Sequence, residues 1–262
     1  MVVIIVTAIT MFPLLWMVLT ALKPDNEILQ VPMVFFPSKL QWKNISDAFR
    51  LASFDKFIMN SVIVSVTATI ITVFINMLAG FSFAKYKFKG KEFLFFIVLS
   101  TLMIPIQVNM VPLYLLISKF GWQNSYAGLI VPTCAEAFGL FLARQFISDI
   151  PDSLLESMRI DGASEFKIFL RCIVPNSKAL ISVLVIFTFM WRWNDFIWPL
   201  LVVKEERFFT IQIGLNMLIG QYDIKWNQFM AASLISVIPI LIIFLIFQKQ
   251  FIQGVAMSGM KE

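Results

Sequence analysis

The sequence predicts an all-α polytopic membrane protein with about six transmembrane helices and one structured loop between the fourth and fifth. Hydrophobic residues make up 59% of the 262 and charged residues 14%, against about half and a quarter in soluble domains. The mean hydropathy is +0.84, more than one globular core absorbs, so apolar side chains must also face lipid. Apolar runs of roughly 20 residues, the length that crosses a bilayer as a helix, recur along the chain. One integral membrane domain over residues 1–262 accommodates them.

Six spans are expected at about Val2–Leu22, Asn60–Ala84, Phe93–Ile117, Ser125–Ile147, Ala179–Val203 and Phe229–Phe247. The first has no positive n-region and runs too long before any cleavage-like site, which makes it a span rather than a signal peptide. Ser65, Ala68, Ala79 and Gly80 give the second small residues for close helix contact. Pro105 and Pro112 should kink or break the third. Residues 148–178 are too charged to span. Pro151 suits a first helical turn, and Asp152 complements the positive end of that helix. Gly162 supplies the left-handed conformation that stops one short helix, and Ser164 caps a second with Glu165 in its first turn. A short helix–turn–helix at the membrane surface is the expectation.

With both termini inside, the cytosolic segments hold eleven lysines and arginines and the outer segments nine. Density decides the orientation more than the total. Lys85, Lys87, Lys89 and Lys91 form the tightest cluster, whereas the long first outer loop offsets its cations with Asp25, Glu27, Asp47 and Asp55. The net charge of +5 is spread over these flanking loops, which argues against nucleic-acid binding. Cys134 and Cys172 make no disulfide framework. The absence of histidine removes the commonest metal ligand and proton shuttle, and no metal site is expected.

The loop carries the most informative motif. Glu156, Gly162 and Pro175 fall on the spacing Glu-Ala-Ala, three residues, Gly, nine residues, Ile-x-Leu-Pro, while Ser157, Met158, Cys172 and Val174 depart from it. The segment resembles the EAA loop of the inner-membrane permease subunits of ABC importers. Asn60-Ser61-Val-Ile-Val-Ser65, Phe83-Ala84-Lys85-Tyr86, Phe88-Lys89-Gly90-Lys91, Met103-Ile-Pro105, Trp193-Asn194-Asp195-Phe196 and the ending from Gln248 to Lys261 resemble the carbohydrate-importing branch. The likeness runs from about residue 12 to the C-terminus. It is to the second of the two permeases in such systems, the six-span type related to the maltose importer's smaller permease.

The resemblance implies a bacterial or archaeal cytoplasmic (inner) membrane location, both termini cytosolic, and a non-catalytic subunit. It implies a pseudo-symmetric heterodimer with a second permease, two ATPase subunits beneath, an extracytoplasmic solute-binding protein above, and lipid around. ATP and magnesium would sit on the ATPases. The chain has no Gly-x-x-x-x-Gly-Lys-Ser/Thr loop and binds no cofactor of its own in this reading. In the loop, Leu154, Leu155, Met158 and Phe166 are the expected apolar docking surface and Glu156 and Arg159 the polar anchors, with the turn at Asp161, Gly162 and Ala163. The bland alternative is a solvated loop whose acids cap helix ends.

Charges within a span are costly and face the bundle interior or a wet cavity. Arg192 and Asp195 lie three apart and are expected to pair across one turn. Either that pair and its tryptophans anchor a helix near the headgroups, or Trp193, Asn194 and Asp195 line a pathway where aromatic faces stack on sugar rings. Asn60, Asn76, Gln107 and Asn109 are expected to bond between helices. Gln107 and Asn109 follow Pro105 closely, so a broken helix turns them into the pathway. The tail from Gln248 is expected to touch the ATPases. The reading is thus a permease forming the pathway for a sugar delivered by a binding protein, with a non-sugar solute as a variant. Two rivals are a non-transporting scaffold and an ion-gradient transporter. The latter would need embedded carboxylates, for which Asp195 and Glu136 are the good candidates.

Overall fold

The structure, a computed structural model, describes residues 1–50, 53–219 and 224–258. Every regular element among the described residues is helical. Among the described residues, three helices are long and apolar enough to cross a membrane alone: α1 (Val2–Ala21), α3 (Phe54–Lys85) and α14 (Trp226–Ser258), the last counted over Trp226–Ile252. Three bent pairs bring the number to six if each pair is one span. The chain divides into two compact units, Met1–Val62 with Val203–Ile242, and Ile63–Val202 with Ile243–Glu262.

In the first unit, polar side chains fold the segment after α1 back on itself. Asn44, in α2 (Lys43–Arg50), donates from Nδ2 to the carbonyls of Ala21 and Lys23 at 2.9 and 3.0 Å, satisfying acceptors that the end of α1 leaves open. Lys23 is buried, donates to the Val34 carbonyl and lies 4.3 Å from the Trp16 ring centroid. Asn60 was expected to bond between helices. It instead donates to the backbone carbonyls of Arg207 and Phe209, at 2.9 Å each, and holds the chain entering α13 (Ile211–Ile219). Ser61 accepts the Ile211 N–H at 2.7 Å from the same stretch of α3.

The second unit is built from broken helices. α4 (Lys91–Ser100) ends in a 3-10 turn, and α5 (Ile106–Lys119) leaves it at 103°. Ile104 is extended at φ −91°, ψ 116°, as the residue before a proline prefers, and Pro105 directly precedes α5. Pro105 therefore makes the expected break; Pro112 is carried inside α5 without one. The expected fourth span is also discontinuous: α6 (Tyr126–Ile130) and its 3-10 turn bend 45° into α7 (Ala137–Ser148). The expected fifth span stops at Asp195, where α11 (Lys178–Asn194) gives way to α12 (Ile197–Val202). Asp195 Oδ1 accepts the Trp198 N–H at 3.3 Å, as a helix-capping carboxylate does, so the side chain that ends one helix starts the next.

Between α7 and α11 lie α8 (Asp152–Ile160), α9 (Glu165–Ile168), a π-helical turn over Phe169–Ile173 and α10 (Val174–Asn176). The chain turns 83° from this arm into α11. Glu165, Lys167 and Arg171 on the arm make it a surface segment rather than half of a span. Its inner face joins a core in which Leu155 and Ile168 meet Met77 and Phe81 of α3, Ala143 and Ile147 of α7 and Leu180 of α11. α3 and α7 approach closely at Gly80, where an added Cβ would fall 2.4 Å from Ala143 Cβ and 2.8 Å from its backbone.

Candidate functional site

The helix–turn–helix is set by backbone chemistry that the sequence announces. α8 ends in a Schellman motif: the Ala163 N–H reaches the Met158 carbonyl at 2.9 Å and the Gly162 N–H reaches the Arg159 carbonyl at 3.0 Å. Gly162 sits at φ +74°, the left-handed conformation that glycine adopts without strain. Ser164 then caps α9 by accepting the Lys167 N–H at 3.4 Å.

Amphipathicity divides the loop's predicted residues into two sets. Leu155 is 1% exposed and Met158 and Ala163 are half-buried against the core, so they seat the loop on its own chain instead of forming the expected outer docking surface. The exposed set is Leu154, Glu156, Arg159, Asp161, Gly162 and Phe166. Ile160, 86% exposed, joins it. Sequence reasoning passed over Ile160, although its place directly before the turn marks it as the residue a seated helix pushes outward.

Arg159 is committed within the loop. Its Nε and Nη2 donate to Glu165 at 2.8 and 3.1 Å, a bidentate fork, and the Tyr86 hydroxyl donates to the same carboxylate. These donors hold the Glu165 carboxyl below its usual range, the Arg159 fork contributing most. Burial, followed by the Glu165 carboxylate, pushes the Tyr86 phenol up to about 12. Lys85 donates to Asp152 Oδ1 at 2.8 Å, which holds that exposed carboxyl below its usual range.

The second candidate site lies in the same unit and has an unexpected origin. The three helix breaks at Ile104, Ala135–Glu136 and Asp195–Phe196 open on one cavity of about 820 Å³. Its polar lining includes Gln107, Asn109, Glu136, Arg192, Asn194 and Asp195, and its aromatic lining Phe138, Trp191 and Trp198. Non-helical backbone at membrane depth persists only where protein buries it or water reaches it, and discontinuous helices mark transport sites for that reason.

Four of the five predicted pathway residues, Gln107, Asn109, Asn194 and Asp195, therefore meet here. Trp193 does not: it is 1% exposed and stacks on Phe189 at 5.6 Å, because one residue along a helix turns a side chain about 100° away from its neighbours. The expected Arg192–Asp195 pair is replaced. Arg192 Nη2 donates to the Thr133 carbonyl at 2.8 Å and to the Glu136 carboxylate, which also accepts from Thr188 at 3.4 Å. Asp195 is spent on its cap. Asn76, expected to bond between helices, is buried with no partner for Nδ2 among the described residues. Pro132, four residues before Glu136 in an otherwise apolar run, was the available signal for this break.

Comparison with known proteins matches residues 76–257 to the family described as "Binding-protein-dependent transport system inner membrane component". The arabinooligosaccharides transport system permease protein AraQ of Bacillus subtilis is 34% identical over 254 residues, covering 96% of this chain and 90% of that protein. The sn-glycerol-3-phosphate transport system permease protein UgpE of Pectobacterium atrosepticum is 31% identical over 256 residues, covering 95% and 91%. Among solved structures, a chain of a bacterial ABC transporter involved in the import of the acidic polysaccharide alginate aligns with a TM-score of 0.87 at 18% identity, over 95% of this chain and 94% of that one. The solved structure shares the fold, and the family description and the sequence relatives carry the assignment. The chain belongs to the inner membrane components of binding-protein-dependent transport systems.

Proposed function

We propose that this permease forms, with a second permease, the translocation pathway of an ATP-driven importer for a carbohydrate or a closely related solute. A solute-binding protein delivers the solute from outside, and two separate ATPase subunits hold ATP and magnesium. The observation that carries the reading is the three-break cavity: one unit contains both a polar, aromatic-lined cavity and an outward-facing helix–turn–helix. Aromatic faces beside amide and carboxylate groups suit sugar rings and their hydroxyls. Relatives named for arabino-oligosaccharides and for glycerol phosphate bracket the solute class.

In this reading the exposed side of α8, from Leu154 and Glu156 to Ile160 and the turn, seats in a cleft on one ATPase. Closure of the ATPases on binding ATP moves the loop, and the cavity changes its access from inside to outside. Phosphate chemistry stays on the partners. The loop, the 85–91 cluster and both termini face the cytosol, following the density of lysine and arginine.

Gly162→Pro tests the coupling role. Proline cannot adopt φ +74° and lacks the N–H that bonds the Arg159 carbonyl, so the turn is lost while α11 and the cavity are untouched. In the four-component importer reconstituted in liposomes, solute uptake should vanish with the subunits still co-purifying. Normal uptake by an assembled Gly162→Pro complex would remove the coupling role.

A further inference from the structure

We propose that Lys85 and Tyr86, at the end of α3, fasten both halves of the helix–turn–helix to that span, so that a load on the loop is carried into α3 directly. The inference rests on the coupling reading above and names its transmission residues. Lys85 Nζ lies 3.2 Å from the Ser148 carbonyl, 2.5 Å from the Ile150 carbonyl and 2.8 Å from Asp152 Oδ1. Those acceptors come from the last turn of α7, the connection after it and the first turn of α8. An ammonium has three protons, and each has an acceptor here. The Lys85 side chain is 6% exposed, so it is not one of the solvated flanking charges that its place in the cluster suggests.

Tyr86 holds the other half. Its hydroxyl donates to Glu165 in the first turn of α9, the carboxylate that also takes the Arg159 fork from the last turn of α8. Its ring packs edge-on to Phe81 of α3 at 5.3 Å, and its carbonyl accepts Lys91 Nζ at 3.2 Å. Adjacent residues thus tie the start of α8 and the α8–α9 junction to the same point of α3. Beneath them Leu155 and Ile168 pack with Met77 and Phe81 of that helix. A loop that merely joined α7 to α11 would move its flanking spans; this arrangement adds α3 to the moving body. The outer face, with Glu156 and Ile160, takes no part in the clamp and stays open to a partner.

The test is a distance measurement by pulsed electron paramagnetic resonance in the assembled importer. Spin labels are placed at Ile70→Cys on α3 and Lys167→Cys on α9, both exposed positions outside the α8 face assigned to the ATPase, in a Cys134→Ala, Cys172→Ala background. The probe states are nucleotide-free and Mg-ATP with vanadate. The clamp predicts one unshifted distance distribution in both states, because loop and span travel together. Lys85→Met with Tyr86→Phe should add a second, shifted population in the vanadate-trapped state, and Lys85→Arg with Tyr86 retained should suppress it. Tyr86→Phe alone, which keeps the ring, should give an intermediate shifted fraction and covers the case in which the double variant does not assemble. A shift already present in the unaltered clamp, or no shift in either variant, overturns the proposal. Loss of the coupling reading registers separately, as normal uptake by Gly162→Pro.

Discussion

Two arginine–glutamate pairs in this molecule have the same chemistry and opposite settings. Arg159–Glu165 ties the two short helices of the surface loop, with side chains 40% and 46% exposed. Arg192–Glu136 sits at a helix break beside the cavity, with side chains 12% and 13% exposed. Water screens the first pair, so the interaction is cheap to form and adds about 0–1 kcal/mol of stability. Removing the second pair from water costs several kcal/mol per ion, which mutual attraction and further hydrogen bonds must offset. The Thr133 carbonyl and the Thr188 hydroxyl supply those further bonds. A buried pair that does little for net stability persists where it does something else, and here it fixes α11 to the break before α7 at the edge of the cavity. The exposed pair instead sets the geometry of a turn whose outer face is open to solvent.

The largest expected effect breaks the buried pair on one side. Glu136→Ala leaves a guanidinium enclosed without its carboxylate and should cost about 3–5 kcal/mol of stability. Thermal unfolding of the purified complex in detergent would read it. Replacing both partners, Glu136→Leu with Arg192→Met, should recover most of that loss, whereas an equal loss would mean that the pair itself stabilises the fold.

Arg159→Ala makes the contrast from the other side. Stability should fall by less than about 1 kcal/mol, because its partner is half in water. A loss as large as that of Glu136→Ala, measured the same way, would place the loop pair in a far drier setting than its exposure indicates.

The smallest effect is the pH response of the loop. Asp152 and Glu165 both titrate below their usual values of 3.8 and 4.5. Their contribution is therefore present above those values and lost as pH falls through the lower folded ones. Tyr86 is raised from 10.0 to about 12, so the hydrogen bond it donates is fully present below pH 10 and lost as pH climbs through 12. Hydrogen exchange over residues 152–168, corrected for intrinsic rates, should show flat protection between about pH 5 and 10 and a decline on either side. A slope centred near neutral pH would contradict these assignments.

Legibility of the sequence followed the range of the interaction. Gly162, Ser164 and Pro105 each act within a few residues, and each does in the structure what its chemistry dictates. The inward turn of Leu155 follows from α8's periodicity, whereas the docking surface that the resemblance implies would point it outward. Gln107 and Asn109 follow the break at Pro105, Asn194 and Asp195 adjoin the charge of Arg192 within a span, and all four line one cavity. Trp193 adjoins Asn194 in sequence, but the helix turns it away.

What the sequence determined alone is therefore the class, the family resemblance, the caps and the turn, because hydrophobic run length and local backbone preference are set by residues close in the chain. Tertiary structure alone decided the long-range ionic partners. Arg192 chose Glu136, 56 residues away, over Asp195 at three, and Lys85 reached Asp152 across 67. A buried charge takes whichever opposite charge the packing delivers into its low-dielectric surroundings, and no local rule ranks candidates that only the fold brings together.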